Sequence, residues 1–144
     1  MKEHEPRKNG DKALSVAVIP LFAALTAVGS QLSIPFGAVP VTLQMFFVFL
    51  AGYMLKPLYA FISMFLYLVL GAIGMPVFAN FSAGFMHLVG PTSGYIWSFP
   101  LAAYMISALK SRNFFFAGLT GLSIVYLLGW LILGISTHAF QQAF

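Results

Sequence analysis

Apolar residues in this chain do not alternate with polar ones. They come in long runs at 13–33, 40–55, 57–74, 91–109 and 114–135, separated by stretches richer in Pro, Gly and charge. About 17 to 25 apolar residues in a row make one helical crossing of a bilayer, so the pattern predicts an all-α, multi-pass bundle of five transmembrane helices. The run at 40–55 is short for a crossing and requires its ends to sit in the interfacial zone or in a locally thinned bilayer. Residues 1–12, MKEHEPRKNGDK, are polar and mixed in charge, which predicts a flexible tail ahead of one transmembrane domain at 13–144. Ala27, Val28 and Gly29 resemble a small-residue cleavage site after a leader. The later runs are equally apolar, however, and three acids dilute the basic start, so the first run reads as a span.

Composition removes the soluble alternative. Hydrophobic residues make up 60% of the chain and charged residues 7%, against about 25% charged in an ordinary soluble domain. Beyond residue 12 the only charges are Lys56, Lys110 and Arg112, with no carboxylate side chain. The net charge of +4 does not indicate nucleic acid, because a basic groove needs cations clustered on one face. It indicates orientation instead. With the N-terminus inside, all seven Lys and Arg residues fall on the cytoplasmic side. The connections at 34–39 and 75–90 then lie outside with no Lys or Arg, and 136–144 also ends outside.

The same inventory argues against catalysis and self-supplied energy. Cysteine is absent, and His4, His87 and His138 have no partner at ligand spacing, so neither a metal site nor a cofactor is expected. Serine and threonine are plentiful, but no acid and no clustered histidine is available to activate them. There is no GxxxxGK[ST] loop and no intramembrane carboxylate for ion coupling. The chain reads as a non-enzyme, and uptake against a gradient would need a second, energised protein.

Two external segments hold the distinctive chemistry: IPFGAVPVTLQ at 34–44 and GMPVFANFSAGFMHLVGPTSGY at 74–95. Each leads back into the membrane through a proline, Pro40 or Pro91. Proline suits a first helical turn, so two helix N-termini are expected to face outward and favour anions, unless these are ordinary helix starts. Phe78, Asn80, Phe81, Phe85, His87 and Tyr95 interleave aromatic walls with polar groups. That is either the lining of a pocket for a small planar ligand or an interfacial aromatic belt. Asn80 and Gln44 each offer a donor and an acceptor. In the first run Ala13, Ala17, Ala23, Ala24 and Ala27 form a small-residue stripe, and Gly118, Gly121, Gly129 and Gly134 do the same in the last. Both permit close helix approach, although alanine is also a common filler of membrane helices.

Three stretches, PFGAVPVTLQ at 35–44, GMPVFANFSAG at 74–84 and GPTSGY at 90–95, resemble the signature segments of the BioY family, the biotin-specific S components of energy-coupling factor transporters. The likeness runs in order from about residue 21 to 104, and beyond 113 it is one of hydropathy only. It implies a multi-pass protein of the cell membrane whose domain at 13–144 binds biotin on the extracellular side. Small residues of the first helix, Ala23 and Ala27, would dock on a transmembrane coupling subunit that carries two cytoplasmic ATPases. Phe36, Gln44, Phe78, Asn80, Phe81 and Tyr95 fall in the stretches that line the family's pocket. Asn80 would pair with the ureido ring between Phe78 and Phe81, and the helix N-termini with His87 would meet the carboxylate. The family pattern has six spans, the last preceded by a Pro-rich turn and carrying an Asp and a Lys of the ligand site. This sequence shows five spans and no such helix, and it has Ala83 and Ser93 where the pattern has glycine. Two expectations follow: a biotin-capturing transporter subunit, or a truncated, non-transporting remnant or helix-packing partner that binds no vitamin. A membrane enzyme ranks last, because the bilayer part holds no acid.

Overall fold

The computed structural model describes residues 5–34, 41–78, 81–91 and 93–143, with side chains for all of these except 5–9, 11, 41 and 139–143. Five α-helices carry the fold: α1 (Glu5–Gln31), α2 (Gln44–Met54), α3 (Pro57–Ala72), α4 (Ser93–Leu109) and α5 (Phe114–Ala143). A short antiparallel ladder between β1 (Ser33–Ile34) and β2 (Val41–Thr42) joins α1 to α2, pairing Ser33 with Thr42 and Ile34 with Val41. A 3-10 turn at Phe85–Leu88 precedes α4. The all-helical expectation thus holds, with one small hairpin added.

Several boundaries differ from the sequence-based expectation, among them the end of α5, which continues to Ala143 where the apolar run ends at 135. Helix α1 starts at Glu5, so the stretch expected as a tail is helical from residue 5. Pro6 fits a first turn, where its missing N–H has no partner to lose, and Glu, Arg and Lys are good helix formers. Helix α2 starts at Gln44 rather than at Pro40, which lies outside the described residues, because β2 keeps the chain extended through Thr42. Helix α4 starts at Ser93, with Pro91 in the exposed turn before it. Proline does open α3, at Pro57. Two segments, Lys12–Gln31 and Phe114–His138, are long and apolar enough to cross a bilayer. At 1.5 Å per residue α2 is only about 16 Å long, well short of the roughly 30 Å hydrocarbon core.

Helix α4 is the hub, packed against α2, α3 and α5, while α1 packs on α2 and α3. The centre is filled by Val48, Met64, Tyr67, Leu68 and Ile106. Polar atoms inside are tied locally or across helices. Ser63 donates to the Ile19 carbonyl at 2.7 Å, linking α3 to α1, and Thr26 donates to Phe22 at 2.7 Å. Among the described residues no buried side-chain polar atom lacks a hydrogen bond. Helix α5 leans on α4 through Ala117, Gly121, Val125 and Gly129, all buried at four-residue spacing. A Cβ on Gly121 would sit 2.4 Å from Ile106, and one on Gly129 2.3 Å from the Tyr95 ring. Gly134, expected in the same role, has nothing within 4 Å.

The packing sorts the molecule into two ends. Helices α1 and α3 run the same way, since Ser63 meets Ile19 and, further along, Ser30 meets Val77. The α2–α3 and α4–α5 turns therefore share an end with Lys12. There the Lys110 ammonium donates to the carbonyls of Leu55 (2.8 Å), Tyr53 (3.0 Å) and Gly52 (3.4 Å), a cation on the negative end of α2. Ser107 adds a bond to Leu55, and Tyr53 stacks on Phe114 with ring centroids 4.3 Å apart. The opposite end, called here the loop end, holds the β-hairpin, the connection 73–92 and the start of α4.

Candidate functional site

The loop end is shaped by a backbone that turns sharply after α3. Gly74 takes φ 109°, which an L side chain rarely adopts, and Met75 N–H returns to the Leu70 carbonyl at 3.1 Å, closing the helix in the manner of a left-handed C-cap. The chain then doubles back. Phe78 N–H donates to Ser82 at 3.1 Å, and Gly84 N–H, at φ 110°, donates to Gly71 at 2.8 Å. Between them Phe81 stands at φ 55°, a left-handed conformation that costs a non-glycine residue about 1–2 kcal/mol. The Gln31 side-chain oxygen accepts the Phe81 N–H at 2.7 Å and helps offset that cost.

A polar network lies beneath the bend. Gln44 Nε2 donates to the Tyr67 hydroxyl at 2.5 Å, and that hydroxyl donates to the Val77 carbonyl at 2.9 Å. Ser30 Oγ lies 2.6 Å from both the Ala27 and the Val77 carbonyls. Gln31 Nε2 approaches the carbonyls of Phe78 (3.0 Å) and Pro76 (3.4 Å), along with Ala27 and the Ser30 hydroxyl. Side chains of α1 and α3 thus meet on the carbonyls of 76–78, and α2 joins them through Tyr67.

The expected site residues separate on this framework. Gln44 is 7% exposed, with its amide committed to Tyr67 and to the Thr42 hydroxyl at 3.3 Å, so it braces the floor beneath the bend. Phe78, 2% exposed, packs edge-on to Tyr67 at 5.6 Å and tilted to His87 at 5.4 Å. Its ring fills the space over Gly71, where a Cβ would come within 2.1 Å. Phe81 is 72% exposed at the tip of the bend. The two phenylalanines therefore occupy different environments and do not form matched walls. His87 is half-buried in the 3-10 turn. Tyr95, in the first turn of α4, stands edge-on to Tyr126 at 6.4 Å. It lines an open groove of about 540 Å³ with Leu122, Ser123, Tyr126, Leu127 and Trp130 of α5. Phe36 and Asn80 lie outside the described residues. On α1, Ala23 is 1% exposed in the core and Ala27 is partly buried against it. The helix instead turns Ala13, Ala17, Leu21, Ala24 and Val28 outward.

Chemically, this end offers carboxamides, hydroxyls, aromatic rings and one imidazole, groups that hold a planar polar ring by hydrogen bonds and stacking. Among the described residues no cluster of His, Asp or Glu is arranged to hold a metal.

The BioY family model matches residues 3–144. The chain belongs to the BioY family. The match continues through α5, past the end of the signature stretches. Relatives include the probable biotin transporter BioY of Pyrococcus horikoshii, 48% identical over 83% of this chain and 74% of that one. Another is the biotin transporter BioY of Thermotoga maritima, 45% identical over 85% of this chain and 76% of that one. Among solved structures, the fold matches the S component for biotin of an ECF-type ABC transporter, with a TM-score of 0.82 and 27% identity over 90% of this chain and 76% of that one.

For a BioY chain the geometry adds residues that motif reading passed over. Ser30, Gln31 and Tyr67 shape the bend at 76–82, yet none lies in the three signature stretches. Ser30 and Gln31 look in sequence like the polar edge of a span, and Tyr67 like one aromatic in an apolar run. The available signal was polarity itself, since a hydroxyl within an apolar helix needs a partner and so marks an inward face.

Proposed function

We propose that this protein is the substrate-capture component of a biotin uptake system. It would bind biotin at its loop end, and a separate ATPase module would supply the energy. The observation that carries the reading is convergence. The described parts of the three family stretches, 41–44, 74–78 with 81–84, and 90–91 with 93–95, come together at the end of the bundle opposite Lys56, Lys110 and Arg112. The chain that presents them folds like a biotin S component. In this reading the chain is embedded in the cell membrane with five crossing segments, and α2 is short enough to need a thinned or re-entrant surround. The cationic end faces the cytoplasm and the loop end the outside.

The bend that carries Pro76 to Phe78 and Phe81 to Ser82, with the hydroxyls and amides around it, would supply the polar contacts to the ureido ring, and Asn80 is the expected partner of that ring. Tyr95 and the groove beside it would give the apolar chain a wall. His87 and the start of α4 would be the positively polarised groups nearest the carboxylate. A transmembrane coupling subunit with two ATPases would dock on α1 through its open face of Ala13, Ala17 and Ala24, since Ala23 is already spent on the internal core.

Titration of the purified chain with biotin tests the reading. Trp130 lines the groove and Trp97 donates to the Leu88 carbonyl at 2.8 Å, tying α4 to the 3-10 turn, so binding should change tryptophan emission saturably at one biotin per chain. A folded chain whose emission and calorimetric heat ignore biotin would overturn it.

A further inference from the structure

The α2–α3 and α4–α5 turns are pressed into one junction. Lys110 reaches from the second turn to the carbonyls that end α2, and Ser107 bonds to Leu55, the residue before Lys56. The Tyr53 hydroxyl donates to the Phe114 carbonyl at 2.8 Å, and the two rings stack. Lys56, Lys110 and Arg112, the only Lys and Arg residues beyond Lys12, therefore stand on one small surface. The Lys110 ammonium is spent on its three carbonyls. Lys56 and Arg112 are exposed, and among the described residues neither side chain has a hydrogen-bond or ionic partner. All three acids of the chain, Glu3, Glu5 and Asp11, precede Lys12, so neither turn contains a carboxylate. After Asn113 the chain enters α5 with Phe114, Phe115 and Phe116, all exposed, Phe115 at 84%. The apolar segment Phe114–His138 begins with these rings, which places them where hydrocarbon meets headgroups, the depth that aromatic side chains favour. Arg112, just ahead of them, then lies among the headgroups.

We propose that this junction binds one anionic phospholipid of the leaflet it faces, with Lys56 and Arg112 on the headgroup phosphate and Phe115 against the acyl chains. The planar fork of arginine matches a phosphate with two parallel bonds, and lysine adds a point charge beside it. Selectivity follows from the missing acid. A zwitterionic headgroup brings an ammonium that needs an anionic partner, and neither turn holds one. A phosphatidylglycerol headgroup brings only hydroxyls. Each cation at a membrane surface strengthens attachment to anionic lipid several-fold, so two free ones on one junction hold such a lipid well above a neutral one. The inference needs the chain to lie in a membrane and is independent of biotin binding.

The test is native mass spectrometry of the full chain released from micelles that hold equal amounts of phosphatidylglycerol and phosphatidylcholine. Wild type should retain a single phosphatidylglycerol in preference to phosphatidylcholine on the order of tenfold. Arg112→Gln should lower the preference about threefold, and Lys56→Gln with Arg112→Gln in one chain should abolish it. Phe115→Ala should lower retention but keep the preference, because it deletes an apolar contact and no charge. Lys8→Gln is the control. It removes one positive charge from α1, which packs on α2 and α3, and the wild-type preference should persist. That pattern supports the proposal. Equal retention of the two lipids by wild type overturns it, as does a double variant that keeps the wild-type preference. A loss in Lys8→Gln as large as in Arg112→Gln shows net charge acting without a site, and the proposal fails. If inorganic phosphate displaces the lipid, or Phe115→Ala retains it at the wild-type level, the surface holds a free anion and the lipid assignment is overturned.

Discussion

At the cationic end, α2 passes into α3 through Leu55 and Lys56 and α4 into α5 through 110–113, whereas the loop end joins its helices through 32–43 and 73–92. The short turns are closed by the most direct means available. One lysine covers three free carbonyls of α2, and Asn113 accepts the N–H groups of Phe115 and Phe116 at 3.0 and 3.2 Å, so little freedom remains. The connection 73–92 does the reverse. Among its described residues it uses two glycines and one phenylalanine at positive φ, and it depends on side chains of α1, α3 and α4 to stay in place. Irregular backbone at membrane depth persists only where protein buries it or it lines a cavity. The end that collects the irregular backbone is the one to which the proposed function assigns ligand binding, and the other end holds the helices together.

Orientation is the comparison's largest stake. The chain has no cysteine, so single cysteines can be introduced into an otherwise silent background. An impermeant maleimide should label Met86→Cys, on the exposed 3-10 turn, in intact cells. Arg112→Cys should react only after the cells are broken. The opposite pattern would put the loop end in the cytoplasm and remove the uptake reading.

The next effect is confined to the loop end. Gly71→Val would drive a side chain into the Phe78 ring, which already lies 2.1 Å from where a Cβ would stand. Overpacking of this kind costs about 1–3 kcal/mol, and with Phe78 displaced the bend loses its buried anchor. Biotin binding should be lost or weakened by well over tenfold, while Gly134→Ala, in open space, should move the thermal midpoint by little. Equal effects from the two would mean that glycine content, and not the Gly71–Phe78 fit, sets the stability.

Tyr67→Phe is gentler, because it keeps the ring against Phe78 and deletes only the hydroxyl. Gln44 Nε2 and the Val77 carbonyl lose their shared partner, and an unsatisfied buried group costs about 1–3 kcal/mol. Part of that cost should appear as weaker biotin binding, since Val77 belongs to the bend. Calorimetry on the variant checks this, and a variant that loses stability with affinity unchanged would place Tyr67 in the core alone.

How much of this was legible in the sequence depends on what hydropathy can distinguish. Runs of apolar residues gave the number of helices and most of their ends, and Pro, Gly and charge marked the turns. Hydropathy did not tell the inside of the bundle from the lipid side, because both are apolar and no amphipathic period separates them. Of the alanine stripe on α1, Ala23 lies in the core and Ala24 faces outward, a division that hydropathy does not draw. Polar residues would have fixed the register: Thr26, Ser30, Ser63, Ser98 and Ser107 are all buried, each bonded to a backbone carbonyl. The site was legible as stretches but not as roles. Gln44 and Phe78 have the chemistry of ligand contacts, and only the packing shows them turned inward on Tyr67.

Lys110 gives the smallest effect and the cleanest separation of the two ends. Replacing it with Met keeps the aliphatic stem and removes the charge from the carbonyls of Gly52, Tyr53 and Leu55. Hydrogen bonds from a charged donor contribute about 1.5–3 kcal/mol, but this ammonium is only partly buried and screening reduces the figure, so a loss of about 1 kcal/mol in stability is expected. Ser107 still reaches Leu55, so the end of α2 keeps one partner and the helix stays seated. Gln44 begins the same helix at the far end and is held independently by Tyr67 and Thr42. Biotin affinity should accordingly stay within about twofold while the thermal midpoint falls. A variant that unfolds at the wild-type temperature but binds biotin many-fold more weakly would show α2 carrying strain from one end to the other, and the division of labour between the ends would fail.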